Sequence, residues 1–294
     1  MENEIPKINF SQEEHLDIEV MNFQELINKL DQTVDHNPFA VHKIEFYLIL
    51  VVTQNSYTHY VDFKPYQLTK GSALFVAKNQ VHHFSETLRQ ADGYGVVFNN
   101  VFIEKNHFLS SKHKFNRLFN YHIEIPIIHQ KEMGQDSFVG IVQNLYKEYF
   151  FPNAFAKSEI LSSLLHTLLL KAERAKESQS IQGVKTQWLE IFCSFKDLLE
   201  QEYTKTRSSR YYASKLLVSY KFLNDVVKHL TGKTAKTFID EFVILEIKRY
   251  LVSTSLSIKE IAFKTGFEEP ANMAKFFKKN SQLTPLKYRQ QLLA

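Results

Sequence analysis

The sequence predicts an α+β protein of more than one domain: a small β-barrel or sandwich with following helices, then an all-α domain holding two helix-turn-helix units. Three observations carry this expectation. Short aromatic and β-branched runs, separated by turn residues, fill residues 43–98. Apolar side chains then recur at helical spacing across residues 138–170. Two layouts of short helix, turn and second helix follow in tandem across residues 208–289.

In chain order, strands are expected at residues 43–53, 57–63, 73–77 and 94–98, with turn chemistry at Gln54-Asn55-Ser56, Lys70-Gly71-Ser72 and Ala91-Asp92-Gly93. Successive strand residues face opposite ways, so Tyr57, His59, Val61 and Phe63 share one face and Tyr60 takes the other, with Tyr57 expected to point inward. Phe46, Tyr57, Phe75 and Phe84, with His59 and His82, form a candidate effector pocket, although the same rings can simply fill the interior. His59, His82 and His83 raise the question of a metal site, which needs converging ligands. The adjacent pair His82-His83 points to opposite faces of a strand, so no metal site is expected: one histidine is packed inside and the other solvated.

Phe138, Val139, Val142, Leu145 and Tyr146 make one helical stripe, and residues 160–170 make a second that is nearly all apolar. Two such helices exceed what one small barrel covers. Leu161, Leu164, Leu165, Leu168 and Leu169 are therefore expected to supply a dimer seam as well as a core face, with packing on the barrel alone as the alternative. Residues 173–186 are polar and contain Ser178, Ser180 and Gly183, the composition of a linker. The expected organisation is a first domain at residues 1–175, a linker at 176–187 and a second domain at 188–294.

The first helix-turn-helix layout begins after Ser208-Ser209, with Ala213, Leu216 and Leu217 as the stripe of a short helix. Ser219 can cap the next helix, whose inward face is Phe222, Leu223, Val226, Val227 and Leu230. Tyr220, Lys221, Asn224 and Lys228 face outward, and Gly232 ends the helix. Residues 236–252 then place Phe238, Phe242, Leu245 and Leu251 on a helical period, a stiff connecting helix. In the second layout Ser257 and Glu260 have the spacing of a capping box, and Ile258, Ile261 and Ala262 form the stripe. Gly266 suits a left-handed position after the last turn, with Phe267 packing back on it. Pro270 opens the next helix, where no backbone donor is needed. Met273, Phe276 and Phe277 face inward, leaving Asn272, Lys275, Lys278 and Lys279 outside. Thr284-Pro285 starts a closing helix through Tyr288 and Arg289.

Net charge is only +4 over 294 residues, but it is unevenly distributed. Residues 185–294 carry 19 basic and 11 acidic side chains, about +8, which leaves the first 184 residues at about −4. Cationic charge thus concentrates on the segment with the paired helices, as phosphate contact requires. The single Cys193 excludes an internal disulfide and a Cys-rich metal cluster and suits a reducing compartment. The opening MENEIPKINF has no signal layout and the longest apolar run, residues 48–52, is far short of a membrane span, so a cytoplasmic protein without a membrane partner is expected. No phosphate loop, Ser/His/Asp arrangement or paired-carboxylate motif is present; neither catalysis nor a cofactor is expected.

Over about residues 188–291 the chain resembles the AraC/XylS family of transcription regulators. The resemblance rests on the run IKEIAFKTGF ending at Phe267, on FFKK at Phe276, Phe277, Lys278 and Lys279, and on LTPLKYR ending at Arg289, in order and at the family's spacing. It implies that Ser219, Tyr220, Lys221, Asn224 and Lys228 lie on or at a first recognition helix. Glu269, Pro270, Ala271, Asn272 and Lys275 would lie on a second, with Lys278 and Lys279 either touching phosphate or merely solvated. Two such readers on one rod would enter major grooves one DNA turn apart, roughly 34 Å. Met273 replaces the usual Phe, Gln282 the usual Gly and Val243 a frequent Arg, the last loosening a contact within the domain. Upstream, HKIEFYLILVV and YQLTKGSALFVAKNQVHHF are similar to the cupin-type sensor that many members carry. The implied partners are double-stranded DNA, RNA polymerase, a second copy of the chain and a small-molecule effector. The competing interpretation is a metal-dependent cupin enzyme fused to a helical module.

Overall fold

The computed structural model describes residues 7–8, 16–32, 39–105, 118–123, 125–134, 136–152, 155–177 and 186–293. The chain divides into two units, one within residues 7–182 and the other within residues 183–294.

The first unit contains ten described strands: β1 (Lys7–Ile8), β2 (Ile18–Asn22), β3 (His42–Ile44), β4 (Tyr47–Gln54), β5 (Ser56–Val61), β6 (Lys64–Thr69), β7 (Ala73–Val76), β8 (Val81–Phe84), β9 (Asp92–Phe98) and β10 (Ile127–Ile128). They form two five-stranded sheets, in the orders β1-β3-β8-β5-β6 and β10-β7-β4-β9-β2. The expected strand at residues 43–53 is two strands. Its first part pairs with β8 in one sheet and its second with β7 and β9 in the other, so the chain changes sheet at Glu45 and Phe46.

Strand β4 explains the layering. Leu48, Leu50 and Val52 share a core with Tyr57, Val61, Leu68 and Phe84 of the facing sheet. Ile49 and Val51 point the other way, into a second core with the helices α3 (Val139–Phe150) and α4 (Lys157–Glu177). A strand buried on both faces reads as a continuous apolar run. Two shorter helices, α1 (Phe23–Asp31) and α2 (Asn100–Lys105), complete this unit's described helices.

Leu161, Leu165, Leu168 and Leu169, expected to supply a core face as well as a dimer seam, are buried within the chain's own second core, with Leu164 half-buried against it. The two-sided sheet supplies the apolar area that a single barrel face lacks. Helix α4 runs to Glu177, two residues past the expected end of the first domain at 175, and the next helix begins at Thr186, two residues before the expected start of the second at 188; residues 178–185 lie outside those described.

The second unit is all-helical: α5 (Thr186–Glu202), α6 (Ser209–Lys215), α7 (Tyr220–Thr231), α8 (Ala235–Ser253), α9 (Ile258–Lys264), α10 (Pro270–Ser281) and α11 (Pro285–Leu293). Helix α8 is its axis. Phe238 packs against Phe192 and Phe195 of α5, whereas Val243, Ile247 and Leu251 share a core with Ile261, Ala262, Phe267, Met273 and Phe277. Val243, one of the departures named above, is completely buried there. Leu245 is only half-buried. Among the described residues, no helix is long and apolar enough to cross a membrane.

Candidate nucleic-acid interface

The second helix-turn-helix, α9 with α10, follows its sequence signals closely. Ser257 Oγ accepts from the Glu260 amide (3.2 Å) while the Ser257 amide donates to the Glu260 carboxylate (2.8 Å), closing the capping box. These bonds hold the Glu260 carboxyl below its usual range, the side-chain bond from Ser257 first among them. The Phe267 amide donates to the Ala262 carbonyl (2.9 Å) across Gly266, which sits at φ +77°. A Cβ at Gly266 would also lie 2.0 Å from the Thr204 carbonyl oxygen, so glycine is required twice over. Phe267 is covered by the Arg207 guanidinium at 3.8 Å, which also reaches Phe276. The loop before α6 is thereby bound to the turn of the second helix-turn-helix.

Pro270 is the first residue of α10, and Met273 and Phe277 are completely buried, with Phe276 half-buried. Glu269, Ala271, Asn272, Lys275, Lys278 and Lys279 are exposed and Pro270 is half-exposed. The Glu269 side chain makes no capping bond, and none of the three lysines ion-pairs with a described residue. The helix therefore presents uncommitted donors along one face. Gln282 ends it at φ +64°, doing the work of the usual glycine.

The first helix-turn-helix, α6 with α7, has the same turn with different residues. The Val218 amide donates to the Ala213 carbonyl (3.0 Å), and Leu217 occupies the left-handed position at φ +56° with 94% of its surface exposed. Leu217 is thus a turn residue, not part of the buried stripe. The core place belongs to Tyr212, completely buried against Phe195, with its hydroxyl donating to the Thr206 carbonyl (2.9 Å). Ser219 Oγ accepts from the Phe222 amide (3.1 Å), so its hydroxyl caps the helix. Tyr220, Lys221 and Lys228 are exposed on α7, with the Arg210 guanidinium 6.0 Å from the Tyr220 ring. Asn224 is half-buried and its Oδ1 accepts from the Ala235 amide (3.1 Å), which anchors α8 and leaves the Nδ2 group free to donate.

Several residues were not legible as interface or scaffold. Arg207 and Arg210 lie before and within α6, outside the motif that draws attention, and only the aromatic side chains beneath them reveal their placement. Lys233 and Lys236, between the two helix-turn-helix layouts, pair with Glu241 and Asp240. Arg249 is completely buried and pairs with Glu246 one turn away on α8. Charged residues inside an apolar helical run were the available signal. Arg289 donates to the Leu251 carbonyl (2.8 Å), tying α11 to the end of α8.

The residues expected to form an effector pocket divide between two cores. Phe46, Tyr57 and Phe84 share the core between the sheets, whereas Phe75 faces the helices against Phe119 and Phe138. Its neighbours on β7 alternate, and position 75 falls on the helix side. Tyr57, His59 and Val61 all point inward as alternation requires, but Phe63 lies in a tight turn at φ +66°. Between the sheets, the Tyr57 hydroxyl bonds His59 Nδ1, and His59 Nε2 bonds His82 Nδ1 (2.9 Å). Burial first, then neighbouring histidines, keeps His59 and His82 well below the usual imidazole range, and burial pushes the Tyr57 phenol up. His83 points outward and stacks on Tyr60, ring centres 4.4 Å apart. Among the described residues, no three His, Cys, Asp or Glu side chains are placed to hold a metal ion.

Comparison with known proteins bears on the helical unit first. Residues 212–291, the span from α6 to α11, match the family described as "Helix-turn-helix domain". The HTH-type transcriptional activator RhaS of Pectobacterium carotovorum subsp. carotovorum (strain PC1) is 24% identical over 263 residues, covering 86% of this chain and 88% of that protein. RhaS of Escherichia coli O1:K1 / APEC is 22% identical over 261 residues, with the same coverage. Among solved structures, ToxT from Vibrio cholerae is 14% identical, covering 94% of this chain and 98% of that one, with a TM-score of 0.43.

Proposed function

We propose that this chain, which belongs to the AraC/XylS family of DNA-binding transcription regulators, reads promoter DNA with the outer faces of α7 and α10 and adjusts that reading to an effector held by its first unit. The observation that carries the proposal is the paired helix-turn-helix geometry, each second helix presenting lysines that no described acid neutralises. Bare donors on a helix sized for the major groove are what base and phosphate contacts need.

Residue roles follow from position along each helix. Tyr220, Lys221, Glu269, Asn272 and Lys275 stand near the helix starts, where base edges come within reach; Lys228, Lys278 and Lys279 lie further on, over phosphates. Glu269 would accept from a cytosine amino group. Ser219, Pro270 and Ala271 set the approach of the two helix ends, and Asn224 contributes its remaining donor.

The sense we assign is activation, following the activators it resembles, with RNA polymerase recruited at the same promoter. A homodimer is supported by apolar side chains left exposed around α3 and α4, among them Phe150, Phe151 and Ile160. We assign the chain no enzymatic step and place its work in the cytoplasm, where the DNA is. An effector acts by binding one arrangement of the chain better than another and so shifting its population.

The test is duplex binding measured by fluorescence anisotropy on promoter fragments selected from genomic DNA. Lys275→Ala should cost roughly 1–3 kcal/mol and relax preference at one base position. Lys278→Ala should weaken all sequences alike and reduce the salt slope by about one. Identical behaviour of the two variants would remove the base-reading role from Lys275.

A further inference from the structure

At the end of β4 the first unit opens a cleft of about 890 Å3, within the range of roughly 300–1,000 Å3 typical of small-molecule sites. Strand register assembles its walls. Gln54 is the pairing partner of Asp92 at the start of β9. On the other side of β4 the Gly71 amide donates to the Val52 carbonyl (2.8 Å), which sets Lys70 beside the strand end. Strands β7 and β9 flank β4, so the backbones carrying Lys70 and Asp92 stand two strand spacings apart, roughly 10 Å. Thr53 lies between them, Gln143 of α3 closes one wall, and Tyr94 supplies the ring.

Lys70 and Asp92 are both exposed, and neither forms an ion pair or side-chain hydrogen bond with a described residue. The cleft therefore offers one uncommitted cation and one uncommitted anion on opposite sides, with the carboxamides of Gln54 and Gln143 able to donate and accept between them. An apolar ligand would strip water from these groups and leave them unsatisfied. A neutral polyol could hydrogen-bond to all of these groups but would gain nothing from their opposite signs. A ligand carrying both signs uses all of them.

We propose that this cleft, and not the packed interior between the sheets, is the effector site, and that it takes a small zwitterion of the free amino-acid class. The ligand carboxylate lies on Lys70 and its ammonium on Asp92. This rests on the reading of the first unit as a sensor.

The full-length protein is titrated calorimetrically with each common L-amino acid up to about 10 mM, with glucose and acetate as controls. One or a few amino acids should bind while both controls do not. Lys70→Met and Asp92→Asn should each weaken that binding at least about tenfold, with ligand-free DNA affinity unchanged. No amino-acid binding, binding that survives both replacements, or glucose binding in its place would overturn the proposal. A chain that binds promoter DNA but no amino acid fails this inference alone, whereas one with no affinity for any duplex fails the regulator reading itself.

Discussion

Gly232 and Gly266 both sit in left-handed backbone, at φ +72° and +77°, yet their surroundings differ. Nothing lies within 4 Å of a Cβ at Gly232, whereas at Gly266 the Thr204 carbonyl oxygen is 2.0 Å away. Gly232→Ala should therefore cost only the left-handed penalty, roughly 1–2 kcal/mol, and Gly266→Ala at least about twice that, because backbone must move. Urea denaturation of the two variants checks this, and equal losses would contradict it. Leu217 tolerates the same backbone region because its side chain meets solvent. At this resolution of single residues, sequence was a mixed guide. Ser257, Glu260, Gly266 and Pro270 announce their positions because capping and turn geometry depend on residue type alone. Leu217 was read as part of the stripe and Tyr212, which is buried, was not read at all, since an apolar residue just past a short helix looks like part of its stripe. Phe75 was misplaced because β7 is buried on both faces, which erases the alternation that would have located it.

Among the elements, strands β6 and β8 and the switch of sheets after β3 were not foreseen. Strand β6 contains Pro65, tolerable because it lies at a sheet edge, and the turn before it uses Asp62 and Phe63 in left-handed backbone instead of glycine. Strand β8 was visible only as the pair His82-His83, one in and one out. Together β5 and β8 bury the Tyr57–His59–His82 chain, with the His42 ring against His82 (4.3 Å), Phe84 packed alongside and His83 outside. His59 and His82 are held below the usual imidazole value of 6.5, so folding keeps them neutral. As pH falls below that value the unfolded chain takes up protons that the folded chain refuses, and stability falls with it. The stabilising contribution is complete above the unfolded value and is lost on acidification. Thermal unfolding from pH 7.5 down to about 5 should show a decline that is shallower in His82→Gln compared at its own neutral-pH stability; an unchanged slope in that variant would dissociate the histidines from the effect.

For the whole chain, the two helix-turn-helix layouts were legible element by element, α5 was not read at all, and the sheet unit was legible mainly by class. A tandem of capped short helices is specified by local rules, while sheet order depends on pairings between distant segments such as β2 with β9. The charge division between the halves follows the same split: cations gather where phosphates are met, leaving the other half mildly acidic. The proposed readers α7 and α10, joined by one buried rod, α8, and by the Arg207 contact with Phe267, should engage DNA as a single body. Footprinting the full-length protein on a promoter fragment that it binds reads this directly. Two protected major-groove segments on one face of the duplex, about one helical turn apart, are expected, with protection lost together as salt rises. A single protected segment, or protection insensitive to salt, would contradict a pair of coupled readers.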